Sequence, residues 1–292
     1  MKDFLGLKRF ARSILKQPRA RKGRVSNVIW HFVSWVVVNV SVTLSWPFWF
    51  ILNRATVIGR ENVGEAPNTL LLSNHQSMID SMPIGVSAFY PKSLIKPYVI
   101  PWHPAASENF FKHPTLAWIS FHFRCIPVKP GRRDLKALYR MIDVLPYGTM
   151  SIFPEGTRSR TGYVKRGRAG PGLLILATRP TVIPVAIDGM QDVLPIGKTI
   201  PRIGKRIWIK FGKPVDYSEF LDKPRTRETA QALVDKVMEI IRAQHRELRQ
   251  MRIAHYASKD KNLKQQAYPP ELARHVRPDT ASDAAETASA RD

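Results

Sequence analysis

The chain has 292 residues, and 44% of them are hydrophobic, which is the composition of a packed globular protein with a sizeable core. Its net charge of +23 implies an anionic partner, which can be nucleic acid, an anionic membrane surface or a phosphorylated substrate. The single cysteine, Cys125, excludes an internal disulfide and fits a reducing compartment. No cluster of cysteine and histidine has the spacing of zinc ligands, so no metal site is expected.

The N-terminal segment combines basic residues with apolar residues at helical spacing. Residues 1–24 hold nine Lys or Arg and one acid, and the apolar residues of segment 4–16 recur at the period of a helix. This pattern predicts a basic amphipathic helix that lies on a membrane. A solvated basic tail with a few apolar residues is the alternative.

The next segment, residues 25–53, has no Lys, Arg, Asp or Glu, and 18 of the 25 residues from 28 to 52 are apolar. Since a helix needs about 20 apolar residues to span a bilayer, this segment predicts a membrane helix. The tryptophans near its two ends are typical of membrane interfaces; they are Trp30, Trp35, Trp46 and Trp49. A signal peptide is less favoured because the run is long and no small-residue cleavage site follows. A buried core helix is the second alternative.

The orientation of this segment follows from its flanking charges. The basic N-terminus is expected to stay in the cytosol, so a single full span would put everything after Arg54 outside. Pro47 and the polar residues at positions 39, 41, 43 and 45 allow another answer, a bent or shallow segment that returns to the same face. Residues 1–54 are therefore predicted to form a membrane anchor.

Residues 55–220 alternate between short apolar runs and longer mixed segments. The runs predict strands at 56–59, 69–73, 93–95, 125–128, 149–153, 181–187 and 207–211. Helices are expected after Gln76, Asp134 and Gly170. This alternation predicts an α/β fold with a mixed, mostly parallel sheet flanked by helices.

A long helix is predicted from about Thr226 to Ala257, with Thr226 as its N-cap. Its buried stripe is expected to consist of Leu233, Val237, Ile241 and Leu248. The middle domain is therefore assigned to residues 55–257. Residues 258–292 are polar and rich in Ala, Ser, Thr and Asp, which predicts a disordered tail.

The stretch SNHQSMID, residues 73–80, places a histidine and a carboxylate five positions apart where an apolar run ends. On a regular helix such residues point in different directions, so His75 is expected in the turn before the helix, with Asp80 in its first turns reaching back. A carboxylate bonded to one imidazole nitrogen fixes the tautomer, and the other nitrogen can then accept a proton from a hydroxyl. The alternative is a plain helix N-terminus, where Asp80 favours the dipole and His75 is incidental.

The stretch IFPEGTRS, residues 152–159, also ends an apolar run, and it carries Glu155 and Arg158. No acid interrupts the basic residues that follow, which are Arg158, Arg160, Lys165, Arg166 and Arg168. An arginine fork beside a glycine turn suits a phosphate monoester, because its paired donors match the phosphate oxygens. A solvated basic loop is the alternative.

Together, NHQSMID and FPEGTRS resemble motifs of the glycerolipid acyltransferase family, most closely the 1-acyl-glycerol-3-phosphate (lysophosphatidic acid) acyltransferases. The sequence VIPVAI, residues 182–187, resembles the family's late V-I-P-V strand. Arg168-Ala169-Gly170 resembles its basic-x-Gly step before a helix. The resemblance runs from about Val57 to Val215, over half of the chain.

The chain also departs from the family pattern. The family has Gly-x-Ile-Pro-Val-x-Arg in its second block, whereas here Arg124 stands at the glycine and Pro130 at the arginine. Lys129, Arg132 or Arg133 can supply the missing charge. The upstream Lys-x-Glu-x-Phe pattern lacks its lysine, because Ala106 stands there. These departures affect the predicted recognition of the acceptor's head group more than the predicted acyl-transfer chemistry.

The resemblance implies direct transfer of a fatty acyl group from a thioester to a lipid hydroxyl, which gives phosphatidic acid when the acceptor is 1-acyl-glycerol-3-phosphate. It implies that His75 is the general base and that Asp80 orients it, without a covalent acyl-enzyme. The residues implied to bind the acceptor phosphate are Glu155, Gly156, Thr157, Arg158 and Arg168, helped by Lys129 or Arg132.

The implied donor is acyl-CoA or acyl-carrier protein, used as a co-substrate without a further cofactor. Both are cytosolic, so the resemblance implies the cytosolic face of a cell membrane, namely a bacterial inner membrane. The basic surface would hold the enzyme against anionic lipid, at about 1 kcal/mol per well-placed Lys or Arg.

Three other functions compete with this one. The same reaction can act on another acceptor, such as a lysophospholipid, a glycolipid or glycerol 3-phosphate. A non-catalytic lipid-binding protein would not need His75 and Asp80. A nucleic-acid-binding protein would explain the charge, but the apolar segment 25–53 and the lack of aromatic residues among the basic ones argue against nucleic acid as a partner.

Overall fold

The computed structural model describes residues 23–129 and 134–259. Three sequence predictions lie outside these residues: the amphipathic helix at 4–16, the phosphate contact of Arg132, and the tail beyond residue 259. Seven strands form one sheet in the described part of the chain. They are β1 (Thr56–Ile58), β2 (Thr69–Ser73), β3 (Pro101–Ala106), β4 (Cys125–Val128), β5 (Thr149–Ile152), β6 (Thr181–Asp188) and β7 (Trp208–Phe211).

The strand order is β1-β7-β6-β2-β5-β3-β4, and every neighbouring pair is parallel except β6 and β7. The predicted mixed, mostly parallel sheet is therefore confirmed. Because β2, β5, β3 and β4 are consecutive parallel neighbours, their carboxyl ends lie at one edge of the sheet. The loops that follow β2 and β5 carry the two motifs, so the fold brings these loops together.

The described helices flank the sheet. They are α1 (Gly23–Pro47), α2 (Ser81–Phe89), α3 (Ser107–Phe110), α4 (Pro114–His122), α5 (Leu135–Val144), α6 (Gly170–Thr178), α7 (Met190–Val193) and α8 (Arg227–Lys259). A π-helical turn, Phe48–Leu52, continues α1. Helices α5, α6 and α8 cover one face of the sheet, and α2 covers the other. A hydrophobic core lies on each face of the sheet, and strand β2 contributes to both. Leu70 and Leu72 pack into one core and Leu71 into the other.

The predicted long helix is confirmed within a residue or two of its expected ends. The side-chain oxygen of Thr226 accepts a hydrogen bond from the backbone N–H of Thr229 at 3.2 Å, which caps the first turn. The whole predicted stripe is fully buried: Leu233, Val237, Ile241 and Leu248.

One predicted strand is wrong, and one strand was not predicted. The run at 93–95 belongs to a 3-10 turn, Lys92–Leu94, and the side chain of Ile95 is 80% exposed. Two consecutive apolar residues, Leu94 and Ile95, are too few to specify a strand. Strand β3 was missed because Pro101 and Pro104 lie within it, and proline removes a ladder donor and weakens a strand signal.

Helix α1 packs against the domain along one side and exposes apolar side chains on the other. The side chain of Ser34 hydrogen-bonds to His122 at 3.2 Å, and the indole N–H of Trp35 donates to the carbonyl of Ser93 at 3.1 Å. On the opposite side Phe32 and Leu44 are largely exposed. Within the described residues, the helix Val28–Leu52 is the one that is long and apolar enough to cross a membrane.

Candidate active site

The predicted base loop, residues 74–80, is fixed between β2 and α2. The side-chain amide of Asn74 exchanges two hydrogen bonds of 2.9 Å with the backbone of Ile187 in β6. Asp80 is the residue immediately before α2, and it is fully buried. The turn therefore holds His75 ahead of the helix while Asp80 points back into the loop.

The two titratable side chains are in contact. Nδ1 of His75 lies 2.9 Å from Oδ2 of Asp80. The same oxygen accepts hydrogen bonds from the backbone N–H groups of Gln76, at 2.6 Å, and of Ser77, at 2.8 Å. The His75 side chain keeps 17% of its surface exposed. Since Nδ1 is bonded to Asp80, Nε2 is the nitrogen left for a substrate proton.

The base loop is joined to the loop after β5. The ring of His75 stacks on Phe153, with ring centroids 4.1 Å apart and an interplanar angle of 13°. The backbone N–H of His75 donates to Oε1 of Glu155 at 2.9 Å. The carbonyl of His75 accepts from the backbone N–H of Ser159 at 2.8 Å. The two motifs therefore form one site.

Glu155 lies at the centre of this junction with only 3% of its surface exposed. Burial raises the pKa of its carboxyl to about 8, although the backbone N–H groups of His75 and Lys165 act in the opposite direction. The neighbouring Asp80 carboxylate adds to the rise. Glu155 is therefore largely neutral at neutral pH, and it places little negative charge beside the basic residues that follow.

Gly156 provides the turn that exposes these basic residues. Its φ of +70° is one that residues with a side chain rarely adopt. A Cβ atom at this position would lie 3.0 Å from Nε of Arg168, so the arginine packs directly over the glycine. Thr157 and Arg168 are exposed and Arg158 is half-buried. The structure therefore groups four predicted phosphate-binding residues around one turn.

Lys129 lies apart from that group. It is exposed directly after β4, and its backbone N–H donates to Asp134 at 3.1 Å. Strand β3 separates β4 from β5, so the loops after these strands start roughly 10 Å apart at about 4.8 Å per strand. Lys129 is on the same edge of the sheet, but the structure shows no contact between it and the turn at Gly156.

Arg124 explains one departure from the family pattern. Its φ is +56°, so the backbone at this position has the conformation that favours the glycine found in the resembling family. The arginine side chain is fully buried, and its Nη1 donates to the carbonyl of Ile100 at 3.0 Å. Burial lowers the pKa of this guanidinium to about 10.

A buried polar cluster next to the base loop was not predicted. The side chain of Gln76 contacts Asp188 at the end of β6 and His245 on α8, and Arg252 completes the cluster. Asp188 directly follows the apolar run TVIPVAI. An acid after an apolar strand is the signal that pointed to Glu155, so the same reasoning could have found Asp188. The contacts from α8 depend on the tertiary fold and have no such local signal.

Known proteins resemble this chain in sequence and in fold. Residues 54–188 match the family model described as Acyltransferase. The 1-acyl-sn-glycerol-3-phosphate acyltransferase LPAT1 of Arabidopsis thaliana is 25% identical over 171 residues, which are 57% of this chain and 43% of the relative. The 1-acyl-sn-glycerol-3-phosphate acyltransferase of Borreliella burgdorferi is 24% identical over 160 residues, 53% of this chain and 58% of the relative.

A third relative, the N-acylphosphatidylethanolamine synthase of Arabidopsis thaliana, is 26% identical over 175 residues, 55% of this chain and 59% of the relative. The chain thus spans between 43% and 59% of the length of these three curated relatives. The crystal structure of the 1-acyl-sn-glycerophosphate acyltransferase PlsC from Thermotoga maritima superposes with a TM-score of 0.54 at 24% identity. The superposition covers 84% of this chain and 88% of the PlsC chain, which shows that the two proteins share a fold.

Proposed function

Because residues 54–188 match the family model described as Acyltransferase, we propose that this chain is an O-acyltransferase acting on 1-acyl-glycerol-3-phosphate. It would transfer a fatty acyl group from a thioester to the free hydroxyl and give phosphatidic acid for phospholipid synthesis. The observation that carries the proposal is the hydrogen bond from the backbone of His75 to Glu155, which joins a base and its orienting carboxylate to a cationic turn.

The reaction needs one proton carrier. Nε2 of His75 takes the hydroxyl proton while the hydroxyl oxygen attacks the thioester carbonyl, so a C–O bond forms and the C–S bond breaks. The imidazolium then returns the proton to the departing thiolate. Asp80 stabilises the imidazolium through Nδ1. The donor, acyl-CoA or acyl-carrier protein, is a co-substrate, and no acyl-enzyme forms.

The turn at Gly156 is proposed to bind the acceptor's phosphate. Arg158 and Arg168 supply charged donors, and Thr157 supplies a hydroxyl. The neutral Glu155 would not repel the phosphate at neutral pH. Lys129 would add positive charge to the same edge of the sheet from the end of β4, and Arg132 is proposed from the sequence alone to help bind the phosphate.

The acceptor is the part of the proposal that most needs an experiment, because one relative is named for a product with a different head group. Purified protein is incubated with labelled acyl-CoA and a panel of lyso-acceptors with and without a phosphate monoester. We expect 1-acyl-glycerol-3-phosphate to give the highest kcat/KM. A higher value for a phosphodiester lysophospholipid, a glycolipid or glycerol 3-phosphate would assign the same chemistry to that acceptor.

We further propose that the enzyme attaches to the cytosolic face of the membrane without exporting its catalytic domain. Helix α1 binds the domain through side-chain contacts of Ser34 and Trp35, so a full span would have to separate it from α4 or bury those polar groups in lipid. Helix α4 and the 3-10 turn at Lys92–Leu94 both pack against α1, and exposed apolar side chains lie on α4 (Trp118) and directly after the turn (Ile95). This arrangement suits a helix that lies in the interface.

Vesicle binding tests the attachment surface. Trp118→Glu should weaken binding of the full chain to anionic vesicles. The matched control is Met251→Glu, which adds the same charge at an exposed position of α8 near the opposite end of the sheet. Equal losses from both variants would contradict the proposed surface. Protease digestion of terminal tags gives the orientation, since both tags should be reached from the cytosolic side only.

A further inference from the structure

The side chain of Gln76, the residue after the proposed base, is held at three points inside the protein. Its Oε1 accepts a hydrogen bond from the backbone N–H of Met190 at 3.1 Å. Its Nε2 donates to Oδ1 of Asp188 at 3.0 Å and lies 3.2 Å from Nε2 of His245. Since an amide offers one acceptor oxygen and two N–H donors, these contacts fix the orientation of the whole group.

Asp188 is kept charged by its surroundings. Burial on its own raises the pKa of this carboxyl, but the charges of Arg252 and Arg249 hold it well below its usual value. Nη1 of Arg252 lies 3.3 Å and 3.5 Å from the two carboxylate oxygens. His245 and Arg252 are seven residues apart on α8, so they lie on the same side of the helix.

These buried contacts lead directly to the proposed catalytic pair. The backbone N–H of Gln76 donates to Oδ2 of Asp80 at 2.6 Å, and Nδ1 of His75 contacts the same oxygen. Oδ1 of Asp80 is buried and has no hydrogen-bond partner among the described residues. The orientation of the Asp80 carboxylate therefore depends on the donors to Oδ2, and the position of one donor is set by the Gln76 side chain.

We infer that Gln76, Asp188, His245 and Arg252 form an amide clamp that positions Asp80 and, through it, the ring of His75. The inference rests on the proposed function of His75 as the base. None of the four side chains contacts Nε2 of His75, the atom proposed to take the substrate proton, so they are positioning residues. Two of them come from α8, beyond the segment 54–188 that matches the family model, which makes the C-terminal helix part of the catalytic apparatus.

The first test separates positioning from binding. Gln76→Ala and His245→Leu each remove one link of the clamp without touching the substrate-binding turn. Each should lower kcat by about 10- to 100-fold, because small misplacements of a catalytic group cost this much. The KM values for donor and acceptor should stay within about twofold. The double variant should lose no more than the more damaged single variant, since both act through one contact chain.

The matched control is Glu247→Gln. It breaks the Lys210–Glu247 ion pair, which also joins α8 to the sheet but lies at the surface, away from Gln76. This variant should keep the wild-type kcat. Asp188→Asn provides an isosteric change within the clamp, and it should lower kcat even where the thermal midpoint and the folded fraction are preserved.

The second readout does not depend on activity. In ¹⁵N-histidine-labelled full-length protein, the Nδ1 signal of His75 is identified by its loss in His75→Ala. This signal should shift in Gln76→Ala and His245→Leu, and stay unchanged in Glu247→Gln. An unchanged His75 signal, or a kcat that falls only with the folded fraction, would overturn the clamp. If wild type and His75→Ala are equally inactive towards every acceptor, the proposed function is wrong. The NMR signal would still show whether the clamp positions His75.

Discussion

The loops after β2 and β5 differ in how they use their polar side chains. In the base loop, His75, Asp80 and Gln76 are bonded to one another or to fixed partners inside the protein. In the loop that begins at Phe153, Thr157 and Arg168 project into solvent. The contrast fits the proposed division of labour, in which the first loop would fix a reacting group and the second would present charge to a ligand.

The physical reason is that the two tasks have opposite requirements. A general base works only when its hydrogen-bond geometry is held in place, which burial and a fixed carboxylate achieve. A site for a phosphate must stay accessible and must leave its donors available. Glu155 connects the two loops, and its raised pKa keeps this connection from weakening the positive charge of the second loop.

The largest expected effect comes from breaking the base loop. His75→Ala should lower turnover by about 10²–10⁴-fold, the usual range for losing a general base. Asp80→Asn should also lower turnover, because the wrong imidazole tautomer becomes accessible. The double variant should be no slower than His75→Ala, since the two groups act as a unit. Steady-state kinetics on folded protein measure all three, and strictly multiplicative losses would contradict a coupled pair.

A smaller effect is expected from the second loop. Arg158→Ala should raise the KM for a phosphate-bearing acceptor by roughly 10- to 100-fold, since a hydrogen bond to a charged group contributes about 1.5–3 kcal/mol. The KM for the acyl donor should change much less. Arg166→Ala is the control, because that guanidinium lies in the same loop but is already bound by Asp235. Equal effects on donor and acceptor would remove Arg158 from the proposed phosphate site.

Gly156→Ala tests the second loop by adding a single methyl group to its turn. Alanine at φ +70° should destabilise the turn by about 1–2 kcal/mol and displace Arg168 from its position over the glycine. The acceptor KM should therefore rise while the donor KM is preserved. Gly64→Ala, where an added Cβ meets nothing within 4 Å, should behave as wild type. An unchanged acceptor KM in Gly156→Ala would show that the turn does not shape the site.

The smallest expected effect concerns stability and pH. Because the pKa of Glu155 is raised from 4.5 to about 8, the folded protein keeps a proton that the unfolded chain has lost. This contribution is complete below the unfolded pKa and is lost as pH rises through about 8. Glu155→Gln cannot ionise. The thermal midpoint of this variant should therefore rise relative to that of the wild type as pH increases from the unfolded pKa to about 8. A midpoint difference that is independent of pH would contradict the raised pKa.

The sequence predicted much of the fold because most strands end in local signals. Apolar runs followed by polar motifs located β2 and β5, and a capped stripe of apolar residues located α8 from Thr226 onwards. Strand β3 was missed because its prolines weaken the strand pattern, although its parallel neighbours on both sides stabilise it. The exposed Ile95 shows the converse error, because a short apolar run predicts a strand where the chain forms a 3-10 turn.

The site was predictable to a similar extent. Spacing alone suggested that Asp80 reaches back to His75, and the structure places the two side chains in contact. The joining of the two loops through Glu155 requires parallel pairing of β2 with β5, which a local pattern does not specify. The same holds for His245, whose contact with Gln76 joins residues 169 positions apart.

The most direct test of the division of labour compares two acceptors, 1-acyl-glycerol-3-phosphate and the phosphate-free 1-acylglycerol, with labelled acyl-CoA as donor. Wild type, His75→Ala and Arg158→Ala are assayed for kcat/KM on both acceptors. We expect His75→Ala to lower both values by the same factor, and Arg158→Ala to remove most of the preference for the phosphate-bearing acceptor. A His75→Ala variant with near-normal turnover, or an Arg158→Ala variant that keeps the full preference, would contradict the account.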